Sequence, residues 1–231
     1  MTMRTQILAG FTLLLGTCGL ALAGGNESGQ SAPLDTASVR FEQNATDGDV
    51  EVVFEVNGGD EGLAKLTVVS PDGRTVVDFT APVASTLGIR SFQFESPEPK
   101  DVAGLKAAYP EGTYTFAGVN ITGDKLHGES TLSHKLPGTV SFLRPGAGAT
   151  GVSTGSLEIA WTAVENVAAY VIEIEQDELD VKIKAQLPKT ATAFAVPSGF
   201  LLPGTEYELS IGTVTDDGNI SIVETTFTTA K

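Results

Sequence analysis

From about Ser38 to its carboxy end this chain alternates apolar and polar residues with a period of two, and only one short stretch departs from that rule. Residues two apart on a strand share a face, so such a chain buries its apolar half by stacking one sheet on another. Val50-Glu-Val-Val-Phe-Glu-Val56 and Leu66-Thr-Val-Val69 are rich in branched residues, and the turn Ser70-Pro-Asp-Gly73 leads into Thr75-Val-Val-Asp-Phe79. Ser91–Glu95 and Thr113–Phe116 repeat the pattern, as do Ala117–Thr122 and Lys125–Leu132 on either side of a Gly123-Asp124 turn. The exception is Asp101–Tyr109. Its apolar Val102, Leu105 and Ala108 follow an acidic cap and precede Pro110, which predicts two turns of helix plugging one end of a core.

Lys135-Leu-Pro-Gly138 reads as a domain boundary. Seven strands are predicted beyond it: Thr139–Arg144, Ser156–Trp161, Ala169–Glu175, Val181–Leu187, Ala193–Val196, Glu206–Val214 and Ser221–Thr228. Short strands at close spacing without a long amphipathic helix give an all-β fold class of two tandem β-sandwich domains, residues 36–137 and 138–231.

The amino end reads as a secretory signal. Arg4 supplies the positive charge, Ile7–Leu15 the apolar run and Ala21-Leu22-Ala23 the small-residue cleavage site, so residues 1–23 are expected to be removed. A transmembrane anchor is the rival reading, weakened by Gly10, Gly16 and Gly19 and by the lack of a basic flank. Lipidation at Cys18 is another rival, but Thr17 fits poorly before a lipidated Cys and the apolar run continues to Ala23. Cleavage after Ala23 removes the single Cys, leaving no disulfide or thiol chemistry. Residues 24–35 open on a Gly/Ser-rich polar tract with nothing to bury and are expected to form a disordered leader. The expected location is secreted or periplasmic, with no membrane insertion after cleavage.

The chain carries 29 acidic against 14 basic residues, a net charge of −15. Nucleic acid is excluded as a partner, because phosphate binding needs a basic footprint, and anionic membrane surfaces are disfavoured for the same reason. The direct consequence of the acidity is solubility outside the cell; binding of a divalent cation or cationic partner is the sharper alternative.

A specific motif lies in the second half. Leu201-Leu-Pro203-Gly-Thr205-Glu-Tyr207, with the Trp161 of Leu157-Glu-Ile-Ala-Trp161 and the Tyr170 of Tyr170-Val-Ile-Glu-Ile174, resembles the tyrosine corner, buried Trp and facing strand of fibronectin type III domains, in the family's order. The alternation agrees. Leu157, Ile159 and Trp161, then Tyr170, Ile172 and Ile174, then Tyr207, Leu209 and Ile211 point inward, while Glu158, Glu173, Glu175, Glu206 and Glu208 are expected to face water. In the first half, Tyr109-Pro-Glu-Gly-Thr-Tyr114 resembles a second sandwich corner, of the sort found in bacterial immunoglobulin-like modules. The pairing of an immunoglobulin-like domain with a fibronectin type III domain resembles uncharacterised bacterial secreted proteins, a likeness that implies architecture and no activity.

No catalytic apparatus is legible. His127 and His134 are the only His residues, neither has zinc spacing with other ligands, and phosphate-loop and EF-hand patterns are missing. No cofactor is expected. Asn44, Asp47 and Asp49 on one tight turn form a candidate Ca²⁺ edge site, against the plainer reading of an Asx turn. Asp177, Glu178 and Asp180 form a second such loop, and with the turn Asp216, Asp217 and Asn219 they are the candidate binding loops. Asn26, Asn44, Asn120 and Asn219 open Asn-x-Ser/Thr triplets, relevant only in a glycosylating source. The expectation is a non-enzymatic binding or adhesion-type module for a protein or glycan partner. A structural spacer is the first alternative and a hydrolase with an unrecognised site in the first domain the second.

Overall fold

The computed structural model describes residues 31–83 and 87–231. The expected signal peptide, Cys18, Asn26 and most of the expected leader lie outside these residues. The elements around one of two hydrophobic cores, termed the first domain, are β1 (Ala32–Pro33), β2 (Thr36–Asn44), β3 (Asp49–Asn57), β4 (Leu63–Val69), β5 (Thr75–Thr80), β6 (Ser91–Glu95), α1 (Val102–Ala108), β7 (Gly112–Asn120) and β8 (Lys125–Leu132). The second comprises β9 (Phe142–Arg144), β10 (Ala149–Val152), β11 (Glu158–Trp161), β12 (Ala169–Gln176), β13 (Val181–Pro188), β14 (Ala193–Ala195), β15 (Glu206–Val214) and β16 (Ile220–Thr229), with a 3₁₀ turn at Asp177–Leu179.

A five-stranded sheet in the order β1-β8-β7-β4-β5 packs on β2-β3-β6 around Phe41, Val52, Phe54, Leu66, Tyr114 and Phe116. The predicted helix is present. The Asp101 carboxylate accepts from the Gly104 amide at 3.0 Å, and Leu105 points into the core as the plug. The last residues of the expected leader form a short strand. Ala32 and Pro33 pair in parallel with Leu126 and His127, and Leu34 joins the core, because that one apolar side chain finds a site above Gly118 and Gly128.

In the second domain the sheet β14-β11-β9 faces β13-β12-β15-β16 across a core containing Trp161, Tyr170, Ile172, Tyr207, Ile211 and Phe227. All nine residues expected to point inward are buried in that core. Strand β10, which pairs in parallel with β16, was not predicted; its Ala-Thr-Gly-Val sequence is too short and too small-sided to show a period.

The domains are not strung on a free linker. Ile220, Ser221 and Ile222 of β16 pair in parallel with Glu42, Gln43 and Asn44 of β2, so one eight-stranded sheet runs β13-β12-β15-β16-β2-β3-β6 through both domains, with β10 joining β16 off that path. Paired residues point the same way, so both cores lie on one side of this sheet. Its back carries Lys184 (β13), Val171 and Glu173 (β12), Val214 (β15), Ile220 and Ile222 (β16), Arg40 and Glu42 (β2), and Glu51, Val53 and Glu55 (β3). Most of that back face is buried. Glu42 and Lys184 interact electrostatically although four strand spacings separate them, about 19 Å on a flat sheet. The sheet therefore coils, and its two halves cover each other's backs.

Candidate functional site

The two candidate binding loops sit at opposite ends of the second sandwich. Strands β12 and β15 are antiparallel, Ala169 opposite Val214 and Glu175 opposite Glu208, so the loop after Gln176 and the turn after Val214 point apart. At the free end, the Gln176 side chain caps the 3₁₀ turn by accepting from the Leu179 amide at 2.7 Å. Asp180 takes left-handed backbone, φ 51°, and Asp177, Glu178 and Asp180 project into water. Leu179 and Leu202 are exposed on the two loops at this end, joining apolar surface to three carboxylates.

The other turn belongs to the domain joint. Asn219 is fully buried, not a surface recognition residue. Its Oδ1 accepts from the Phe41 amide at 2.8 Å, and its Nδ2 donates to the Ser133 and Lys135 carbonyls, each at 3.0 Å. Ser133 Oγ donates to Asp217 at 2.6 Å, Ser221 Oγ to the Pro137 carbonyl at 2.9 Å and Thr213 Oγ1 to the Gly138 carbonyl at 2.7 Å. The predicted boundary segment is thus stitched down along its length. Partial burial pushes the Asp217 carboxyl up, but hydrogen bonds from Ser133 and Thr215 outweigh it and hold the pKa below the usual range. Asp216 alone of the three remains a free-standing surface carboxylate on this turn.

Asn44 and Asp47 close the candidate calcium turn with their own side chains. Asn44 Oδ1 accepts from the Thr46 amide at 3.0 Å and Asp47 Oδ1 from the Asp49 amide at 3.2 Å, while Gly48, at φ +87°, closes the turn. Asn44 Nδ2 donates across the joint to Glu224 at 2.9 Å. Among the described residues no group of three or more His, Cys, Asp or Glu side chains is placed to hold a metal ion.

Sequence reasoning missed the buried charges behind the shared sheet. Arg40 is ion-paired with Glu42 at 3.0 Å and Glu55 at 3.6 Å, all three buried. Glu173, expected in water, is buried instead, held by Lys182 at 3.0 Å and Lys184 at 3.6 Å on β13. Burial raises Glu42 despite its arginine. Burial, then the Glu42, Glu95 and Glu98 carboxylates, push Glu51 up to about 8. Glu98 is raised by burial and by Asp49 and Asp47. The available signal was Glu51 and Glu55 standing in an otherwise apolar strand.

The histidines do not meet. His127 lies on the outer face of the five-stranded sheet; His134 packs on Phe41 with ring centroids 5.0 Å apart and planes tilted by 52°, and donates from Nε2 to the Tyr109 carbonyl at 2.8 Å. Trp161 and Tyr170 pack ring to ring at 5.7 Å inside the second core, and Leu201, Pro203 and Thr205 shape the corner below Tyr207.

No protein-family model matches the chain. Its structure is similar to the fibronectin(III)-like modules of Clostridium thermocellum CbhA, at 12% identity and TM-score 0.35, covering 85% of this chain and 93% of that one. It is also similar to the FN1–FN3 domains of chicken CNTN1, at 14% identity and TM-score 0.36, covering 87% and 65%. A two-domain fibronectin type III segment of chicken tenascin matches at 17% identity and TM-score 0.33, covering 85% and 99%.

Proposed function

We propose that this chain is a non-enzymatic, exported binding module whose two sandwiches are locked together so that the end loops are held at a fixed separation and angle. The observation that carries the reading is the parallel pairing of β16 with β2, clamped by Asn219. Mobile domains would lose part of any binding energy in ordering the joint; a continuous sheet has none to order. The Asp177–Asp180 loop with exposed Leu179 and Leu202 is the end offered to a protein or glycan partner. Export rests on the order of charge, apolar run and cleavage site in residues 1–23. No helix among the described residues is long and apolar enough to cross a membrane.

The rigid joint equally favours a second reading, a structural spacer. A hydrolase has only the raised Glu51 on its side, and the packing of one domain's sheet on the other accounts for that shift without catalysis. The test is a pair of measurements on the full chain. NMR relaxation is expected to give one rotational correlation time for both domains; independent tumbling would defeat the locked-module reading. Pull-down with immobilised chain is expected to retain a partner that Asp177→Ala/Asp180→Ala releases. Rigid tumbling with no retained partner would leave the spacer.

A further inference from the structure

On the outer face of the five-stranded sheet, the register sets two rows of side chains across β4, β7 and β8. Lys65, Val119 and Lys125 form one row, and Thr67, Ala117 and His127 the next. The middle strand carries only Ala117, Gly118 and Val119 here, so the longer flanking side chains stand around a depression of about 370 Å³, with Ser31 on the β1 side. Lys65 and Lys125 are two strand spacings apart, about 10 Å, close enough for both ammonium groups to converge above Val119.

This is out of character for a chain of net charge −15. Arg40, Arg74, Arg90, Arg144, Lys182 and Lys184 are each ion-paired with a carboxylate. Lys65 and Lys125 form no ion pair among the described residues, and no carboxylate lines the depression between them. His127 is oriented from behind: its Nδ1 lies 3.0 Å from the Ala32 carbonyl and 3.0 Å from Ser31 Oγ, leaving Nε2 as the open position of the ring. The cationic patch is short. Asp78 stands beside Thr67 on β5, and Glu129 follows two residues after His127, so both borders are negative.

We propose that this depression binds a short acidic sugar, its carboxylate between Lys65 and Lys125. The apolar face of the ring rests on Ala117 and Val119, and its hydroxyls meet Thr67, Ser31 and His127. A long polyanion is disfavoured by the negative borders and the overall charge. An extended acidic peptide would add to a sheet edge, and β1 already occupies that edge of β8. A bare inorganic anion would use neither the apolar floor nor the hydroxyls. The site lies on another sheet and domain from the Asp177–Asp180 loop, so it stands or falls apart from the loop reading.

The test is titration of the full chain at low ionic strength with a trimer of galacturonic acid, followed by calorimetry and by NMR shifts, with the neutral galactose trimer as control. Shifts are expected at Thr67, Ala117 and His127, with no binding of the neutral trimer. Lys65→Ala/Lys125→Ala, whose fold is checked by thermal unfolding, is expected to weaken binding roughly tenfold or more, while Asp177→Ala/Asp180→Ala leaves it unchanged. Failure of the uronate trimer to bind, binding untouched by the double lysine variant, or equal binding of the neutral trimer would each overturn the proposal. Equal binding of a glutamate-rich peptide or of inorganic phosphate would overturn the assignment to a sugar.

Discussion

In the second domain Tyr207 accepts a hydrogen bond from the Leu202 amide at 2.9 Å and donates to the Phe200 carbonyl at 3.4 Å. In the first, Tyr114 turns a similar corner with one bond, to the Pro110 carbonyl at 3.1 Å, and burial raises its pKa to about 12. The same contrast runs through the rest of each domain. The second closes its core with its own strands around Trp161, whereas the first needs a helix to plug one end. The first also has a sheet, β2-β3-β6, that buries Arg40, Glu42, Glu51 and Glu55 behind it. Charges are tolerated there because Arg40 pairs with Glu42 and Glu55, with Lys184 of the second domain adding counter-charge at Glu42. Both domains thus bury a back face, but the second's is an apolar cluster of Val171, Val214, Ile220 and Ile222 behind a core closed by its own strands, whereas the first's is charged, so the first depends more on its neighbour.

The sharpest way to break that comparison is at Asn219. Asn219→Ala removes the acceptor for the Phe41 amide and the donor for the Ser133 and Lys135 carbonyls, leaving buried backbone groups unpaired. The expected cost is about 3 kcal/mol, at roughly 1–3 kcal/mol per unsatisfied group. Calorimetry is expected to show the single unfolding transition of the wild type split in two, the first domain melting first. A variant that melts as one unit, or whose second domain melts first, contradicts the dependence.

The next effect is read against pH. Glu51 titrates near 8 in the fold against 4.5 for an ordinary glutamate, so its folded pKa is raised. The folded state holds its proton more tightly than the unfolded state. Stability is therefore full below about 4.5, declines as pH rises toward 8 and is level beyond. Glu42 and Glu98, also raised, act in the same direction. Glu51→Gln fixes the uncharged form. Relative to wild type it is expected to gain about 2 kcal/mol at pH 9 and nothing at pH 4, measured by denaturant unfolding. Equal effects at both pH values would mean that the back of the shared sheet is wet.

A smaller effect compares the corners directly. Tyr207→Phe is expected to cost about 1–2 kcal/mol and Tyr114→Phe about half that, since the first loses two backbone partners and the second one. Equal costs would mean that the two corners carry similar loads despite their different bonding.

How much of this was legible follows from what a period of two encodes. Alternation identifies residues that share a face, and it placed the inward residues of the second domain correctly, while α1 came from its cap and the three-residue spacing of Val102, Leu105 and Ala108. It does not say what covers the other face. Glu173 was assigned to water because a lone sandwich leaves that face wet, and here it is buried and paired with Lys182. Nor does a local pattern reveal that residues 42–44 pair with 220–222, a contact between opposite ends of the chain made by only three residue pairs. Asn219 carried a turn signature and a glycosylation triplet, and both were silent about its role as the clamp.

The smallest expected effect concerns the turn at the seam of the two domains. Calcium held by Asn44, Asp47 and Asp49 would compete for Asn44 Oδ1 and Asp47 Oδ1 with the Thr46 and Asp49 amides, and would disturb the Asn44 bond to Glu224 on β16. A ligand of the folded state at about a hundred times its Kd adds roughly 2.7 kcal/mol, several degrees for a chain of this length. Because the turn already satisfies those groups, thermal unfolding in excess Ca²⁺ and in excess chelator is expected to agree within about 1 °C. A shift of several degrees, lost in Asp47→Ala, would turn the seam into a metal-dependent joint, and the first domain would then depend on an ion as well as on its neighbour.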